Sequence, residues 1–140
     1  MITAGGRPHQ LHVLRMLPGE DVRTGLEEWC KDNALEAGCV VSAVGSLSRA
    51  LLRMAGGSDG STLTGDMEIC SLSGTLSRHG MHLHMAVGDA EGRMHGGHLL
   101  AGCTVRTTLE EVVQEIGGLA LHRRPDARTG YPELFPEARP

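Results

Sequence analysis

Residues 79–100 read HGMHLHMAVGDAEGRMHGGHLL and hold five of the chain's eight histidines. Leu83, Met85 and Val87 alternate with His82, His84 and Ala86. Side chains alternate faces along a strand, so this run predicts an apolar face toward a core and an imidazole pair on the other face. Gly92 in "DAEGR" suits the left-handed third position of a three-residue hairpin loop, Ala90-Glu91-Gly92. Asp89 then faces Arg93, and counting back sets His84 opposite His98. Directly opposed residues on one face have Cβ atoms about 4.5–5.5 Å apart, so three imidazoles converge on one patch. A slip of one residue would turn His98 away. In the expected register His95 joins Leu83, Met85, Val87 and Leu99, as a hydrogen-bonded histidine rather than a ligand. Gly96 and Gly97 leave room for a ligand or for a neighbouring backbone.

Neutral imidazole suits zinc, iron, nickel or copper. Three histidines with a vacant position match catalytic zinc better than a closed structural site. His82, His84 and His98 are therefore the candidate ligands of a divalent metal, zinc the first choice. Such an ion binds an anionic substrate oxygen or lowers the pKa of a bound water to about 7. The competing reading is a set of ordinary strand histidines near a surface or subunit boundary. Glu68, inside an apolar strand, is a candidate general acid/base or further ligand, with a solvent-facing carboxylate as its alternative. Arg49, in "GSLSRA", is a candidate clamp for a carboxylate or phosphate, with a surface ion pair as its alternative. No serine stands in a nucleophile elbow.

Outward from this block, "HQLHVLRML" alternates as a strand, and "PGED" ends it. From Asp21, Val22, Leu26, Trp29 and Asn33 recur at helical spacing, which predicts a helix ending before Gly38 with Leu26 and Trp29 against a sheet. "CVVSAVGSLSRALLRMA" reads as a strand interrupted near Gly45, "GGSDGSTLTGD" as a turn-rich loop and "MEICSLSGTLS" as a strand. In "TTLEEVVQEI", Leu109, Val112, Val113 and Ile116 fit a helix, while "EVVQ" also serves as a strand. The tail "RPDARTGYPELFPEARP" is proline-rich and reads as irregular. Short strands with one clear helix predict a single α+β domain around a mostly antiparallel sheet.

The chain has 140 residues and a formal net charge of -4, and Lys31 is its only lysine. Apart from "HRRPDAR" its arginines are scattered, so no basic patch for phosphate neutralisation is visible. Trp29, Tyr131 and Phe135 are the whole aromatic set, too few to stack single-stranded bases. Cys30, Cys39, Cys70 and Cys103 show no metal or redox spacing and read as reduced core thiols. No apolar run approaches membrane-spanning length and no signal-like segment opens the chain, so a cytoplasmic protein without membrane contact is expected.

The segments "LPGEDV", "VGSLSRALL", "EICSLSGTLS", "HLHMAVGDAEGRMHGGHLL" and "GCTVRTT", in that order, resemble the PPC (plant and prokaryote conserved) domain in its stand-alone bacterial and archaeal form. "RRPDARTGYPEL" resembles the family's C-terminal strand and turn. The resemblance implies a barrel-like antiparallel sheet with one flanking helix, a homotrimer, and strand rather than helix at "LEEVVQEI". With Gly5, Gly6 and Pro8 opposing regular structure at the start, the chain divides into a flexible arm (1–8), the family-like domain (9–134) and an irregular tail (135–140). In plants such domains accompany AT-hooks in nuclear DNA-binding proteins, and bacterial members carry a DNA-binding label by that analogy. Here "GGRPHQ" lacks the leading arginine of an AT-hook core. The fold is also similar to that of acetolactate decarboxylase, whose three-histidine zinc site has an H-x-H pair; His82, His84 and His98 fill those places. Three functions follow as expectations. The first is a trimeric metal-binding domain acting on or sensing a small anionic molecule, as a lyase or hydrolase if it is an enzyme. The second is a DNA-binding or transcription-associated module, and the third an assembly module without catalysis.

Overall fold

Alternating apolar residues give the chain eight strands, and one capping aspartate opens its single helix. The computed structural model describes residues 1–140. In chain order the elements are β1 (Arg7–Met16), α1 (Val22–Asp32), β2 (Gly38–Arg53), β3 (Gly60–Ser77), β4 (Gly80–Asp89), β5 (Met94–Leu99), β6 (Thr104–Gly117), β7 (Leu119–Asp126) and β8 (Tyr131–Ala138). Six strands form one sheet in the order β1-β6-β2-β3-β4-β5, and the end of β2 also pairs with β5. That last pairing closes β2, β3, β4 and β5 into a ring, the barrel-like part of the fold. All pairings are antiparallel.

The helix forms as its spacing predicts. Asp21 caps it, its carboxylate accepting from the Thr24 amide at 2.9 Å. The other carboxylate oxygen of Asp21 accepts from the Gly102 amide at 2.6 Å, which ties the cap to the loop before β6. Val22, Leu26 and Cys30 are buried against the sheet, and Trp29 packs at the edge of the same core. Burying one such aliphatic side chain contributes about 1.5–3 kcal/mol, so this face holds the helix in place.

Residues 104–117 form a strand, as the family resemblance implied and the helical spacing did not. Leu109, Glu111 and Val113 are all buried, a period of two that the apparent helical spacing had concealed. Glu111 is the exception in this apolar row. It is 1% exposed, and neither carboxylate oxygen has a hydrogen-bond partner. Burial pushes its carboxyl up to about 7.

Three expectations need correction. "GGSDGSTLTGD" is not all loop: β3 begins at Gly60, opposite Arg53, so the polar Ser61, Thr62 and Thr64 are strand. Their turn-forming composition is overridden because β2 offers a continuous ladder of backbone partners. The arm ends earlier than expected, since Arg7 already pairs with Gly117. The tail, in turn, is a hairpin, with β8 running through Pro136 to Ala138. Its prolines are tolerated because a two-stranded ribbon leaves many amide positions unpaired: Pro125 faces Pro132, and Pro136 faces Leu121. Leu119 and Leu121 anchor the hairpin in a small apolar cluster with Ala37 and Ile116.

Val13 of β1 lies beside Val112 of β6, which lies beside Ser42 of β2. Leu11, Val13, Val41 and Val44 are exposed there, Val13 at 79%. No helix of the chain is long and apolar enough to cross a membrane.

Candidate metal centre

The hairpin of β4 and β5 forms in the register that its turn demands. The Asp89 amide donates to Arg93 O at 3.0 Å, and the Gly92 amide to Asp89 O at 2.9 Å. Gly92 takes a φ of 78°, the left-handed geometry that favours glycine. The Asp89 carboxylate locks the loop, accepting from the Glu91 and Arg93 amides, the Arg93 guanidinium and the His95 ring. His95 is thus a hydrogen-bonded histidine opposite Val87. Met81, Leu83, Met85 and Val87 are buried on the core face, so His82 and His84 necessarily point outward. His84 lies opposite His98.

The three imidazoles meet. Their ring centroids are 5.0, 5.0 and 5.6 Å apart. One nitrogen from each lies within 4.8 Å of the others, and the Nε2 atoms of His82 and His84 are 3.1 Å apart. A tetrahedral ion with Zn–N bonds of about 2.0–2.1 Å needs nitrogens about 3.3 Å apart, so small side-chain adjustments suffice. Nδ1 of His98 is buried and has no hydrogen-bond partner, which leaves a polar atom to be satisfied. Burial, then His82 and Arg53, hold the His98 imidazole down to about 4. Burial and His84 lower His82 as well. Neutral rings are the form that binds a metal, and the triad could hold one ion.

Gly97 explains how β5 reaches this position. A Cβ there would lie 2.6 Å from the Arg53 carbonyl oxygen, so only glycine lets β5 close on β2. Of the two uses expected for the Gly-Gly pair, a neighbouring backbone is the one found at Gly97. The closure sets Arg53 opposite His98.

The β7–β8 hairpin covers the triad from the other side. The Arg123 guanidinium donates to Thr75 Oγ1 at 2.7 Å, and Thr75 is the partner of His82 across β3 and β4. A hollow of about 240 Å³ lies between hairpin and sheet, lined by Arg23, Arg53, His82, His98, Arg123, Tyr131 and Glu133. A second, of about 290 Å³, shares His82, Arg123 and Glu133 and opens toward His84, Ser73 and Thr75.

Glu68 and Arg49 line neither hollow. Glu68 is exposed on β3 opposite Gly88, four residues along β4 from His84, or about 13 Å at strand rise. Arg49 is exposed between Thr64 and Thr104, four residues before Arg53 on β2. They stand apart because β5 meets β2 only at Leu52 and Arg53. The residues that do stand beside the triad, Arg53, Arg123, Tyr131 and Glu133, are not singled out by sequence reasoning. The arginine-rich run containing Arg123 is the one signal pointing to them. It is readable as a site only once the tail is known to fold back.

The family model described as the Plants and Prokaryotes Conserved (PCC) domain matches residues 3–117. The Bifunctional protein GlmU of Synechococcus sp. (strain JA-3-3Ab) is 45% identical over 142 residues, covering 96% of this chain. The chain spans only 23% of that protein's length. Among solved structures, a Salmonella enterica protein superposes with a TM-score of 0.93 at 42% identity, covering 98% of this chain and 99% of that one. A metal-containing protein of Archaeoglobus fulgidus shares the fold with a TM-score of 0.81 at 24% identity, over 96% of this chain and 99% of its own.

Proposed function

Because this chain belongs to the Plants and Prokaryotes Conserved domain family, whose fold leaves the chemistry to be read from the site, we propose that it is a metal-binding domain. His82, His84 and His98 hold one divalent cation, zinc the best match to three imidazoles with an open position. The observation that carries this reading is the convergence of three imidazole nitrogens within 4.8 Å on the outer face of one hairpin. The metal content of the Archaeoglobus fulgidus protein of the same fold lends support. When bound, the cation supplies Lewis acidity to a substrate oxygen or to a water. Burial favours the neutral form of His82 and His98, and the β7–β8 hairpin screens one side of the site. Elemental analysis of untagged protein tests the reading: one equivalent of metal per chain is expected, and none would refute it.

The domain works as a homotrimer on this reading. The exposed row of Leu11, Val13, Val41 and Val44 is the apolar surface that an assembly would cover. Light scattering after size exclusion should return three times the 14.9 kDa chain mass, and a monomer would refute the assembly. Direct DNA recognition has weaker support. Arg78, Arg93, Arg106, Arg124, Arg128 and Arg139 already pair with aspartate or glutamate rather than facing outward unpaired. Steeply salt-dependent binding to duplex DNA would reverse that preference.

A further inference from the structure

The geometry points to a monoanionic carboxylate of a few carbons as the ligand of this site, held by Arg53 and Arg123 with a second oxygen turned toward the histidine triad. The inference rests on the metal-binding reading for that second oxygen alone; the arginine half stands without it.

Charge in the hollow leads to this choice. Arg23 is already matched, its guanidinium lying 2.9 Å from Glu27. Arg53 and Arg123 have no carboxylate within ion-pair distance, whereas most of the exposed arginines do. Arg123 uses one nitrogen on Thr75, and its buried Nε has no partner. A guanidinium nitrogen buried without an acceptor is costly, and a carboxylate oxygen would relieve it. Glu133 lines the same hollow. On the arginine side, two unpaired guanidiniums against one carboxylate leave a single positive charge, which one carboxylate group neutralises without calling on the triad.

Size and placement agree. A hollow of about 240 Å³ has room for about eight water-sized groups at about 30 Å³ each. His82 and His98 line it together with both arginines, so one small molecule reaches both. Arg53 comes from the end of β2 and Arg123 from β7, so the clamp closes only when barrel closure and hairpin docking have both occurred. Tyr131 contributes a wall under Arg53, whose guanidinium carbon lies 5.5 Å from the ring centroid.

The test is calorimetric titration of the purified, metal-analysed protein with lactate, pyruvate, propionate and inorganic phosphate. Lactate and pyruvate should bind, and propionate, which lacks the hydroxyl or keto oxygen beside its carboxylate, more weakly. Arg53→Ala and Arg123→Ala should each weaken lactate by about tenfold or more while leaving metal content unchanged. Arg123→Lys should recover part of the loss. Lactate affinity unchanged by either alanine substitution, preference for phosphate, or no binding by any of the carboxylates would each overturn the proposal. Chelator-treated protein separates it from the metal reading. Arginine-dependent lactate binding in protein that never holds metal would sink the metal reading while keeping the clamp. Metal binding with no carboxylate binding would do the reverse.

Discussion

The β4–β5 ribbon and the β7–β8 hairpin are both two-stranded, both turn through a glycine, and both face the same hollow. They differ in what sets their geometry. In the ribbon, alternation buries Leu83, Met85 and Val87 and a three-residue loop sets the register, so the histidines meet through contacts within some twenty residues. In the hairpin, the prolines are an obstacle to pairing, and its position comes from Leu119 and Leu121 packing on Ala37 and from Arg123 reaching Thr75. The comparison teaches that the ligands of this site are locally encoded and their cover is not.

The largest expected effect separates the two regions outright. His84→Ala should abolish stoichiometric metal, since two imidazoles rarely suffice, yet leave the fold intact because His84 is exposed. Metal analysis beside circular dichroism reads both. Loss of the fold with the metal would mean that His84 carries part of the ribbon's stability.

Next in size is a test of the β6 strand that leads into the hairpin. Glu111 titrates at about 7 when folded, against an ordinary value of 4.5. Its proton is bound more tightly in the folded chain, so its contribution to stability is complete below pH 4.5 and falls as pH rises through 7. The loss amounts to roughly 3 kcal/mol at about 1.4 kcal/mol per pH unit. Urea denaturation from pH 4 to pH 8 should show that slope, and Glu111→Gln should flatten it. A slope unchanged in the glutamine variant assigns it to other groups.

Gly97→Ala attacks the closure that brings Arg53 to the ribbon. The added Cβ meets the Arg53 carbonyl, and a loss of about 1–3 kcal/mol is expected from overpacking. Denaturant midpoints should fall while the β4–β5 turn, followed by amide exchange at Asp89 and Gly92, stays protected. The smallest effect belongs to the cover. Arg123→Ala removes one hydrogen bond to Thr75, worth about 1 kcal/mol, and should leave metal stoichiometry untouched. A variant that lost metal as well would show the hairpin to be part of the metal site rather than its wall.

Residue types alone could not distinguish Arg49 from Arg53, nor Glu68 from Glu133. Each pair offers the same chemistry a short distance apart or on different strands. Only the meeting of β5 with Leu52 and Arg53, and the docking of the tail, selects between them. Glu111 was illegible for a related reason. Its row is buried on one face by α1 and the strand ladder, and nothing in "TTLEEVVQEI" tells which of two adjacent glutamates turns inward.

From sequence alone came the helix, the alternation of the strands and the register that pairs His84 with His98. All of these depend on neighbours a few residues away, through side-chain period and turn stereochemistry. Tertiary structure decided the closure of the barrel, the fold-back of a proline-rich tail and the charge around the triad. Those arise from contacts between residues such as 53 and 98, or 75 and 123, whose cost in chain entropy is repaid only by the packing of the whole core.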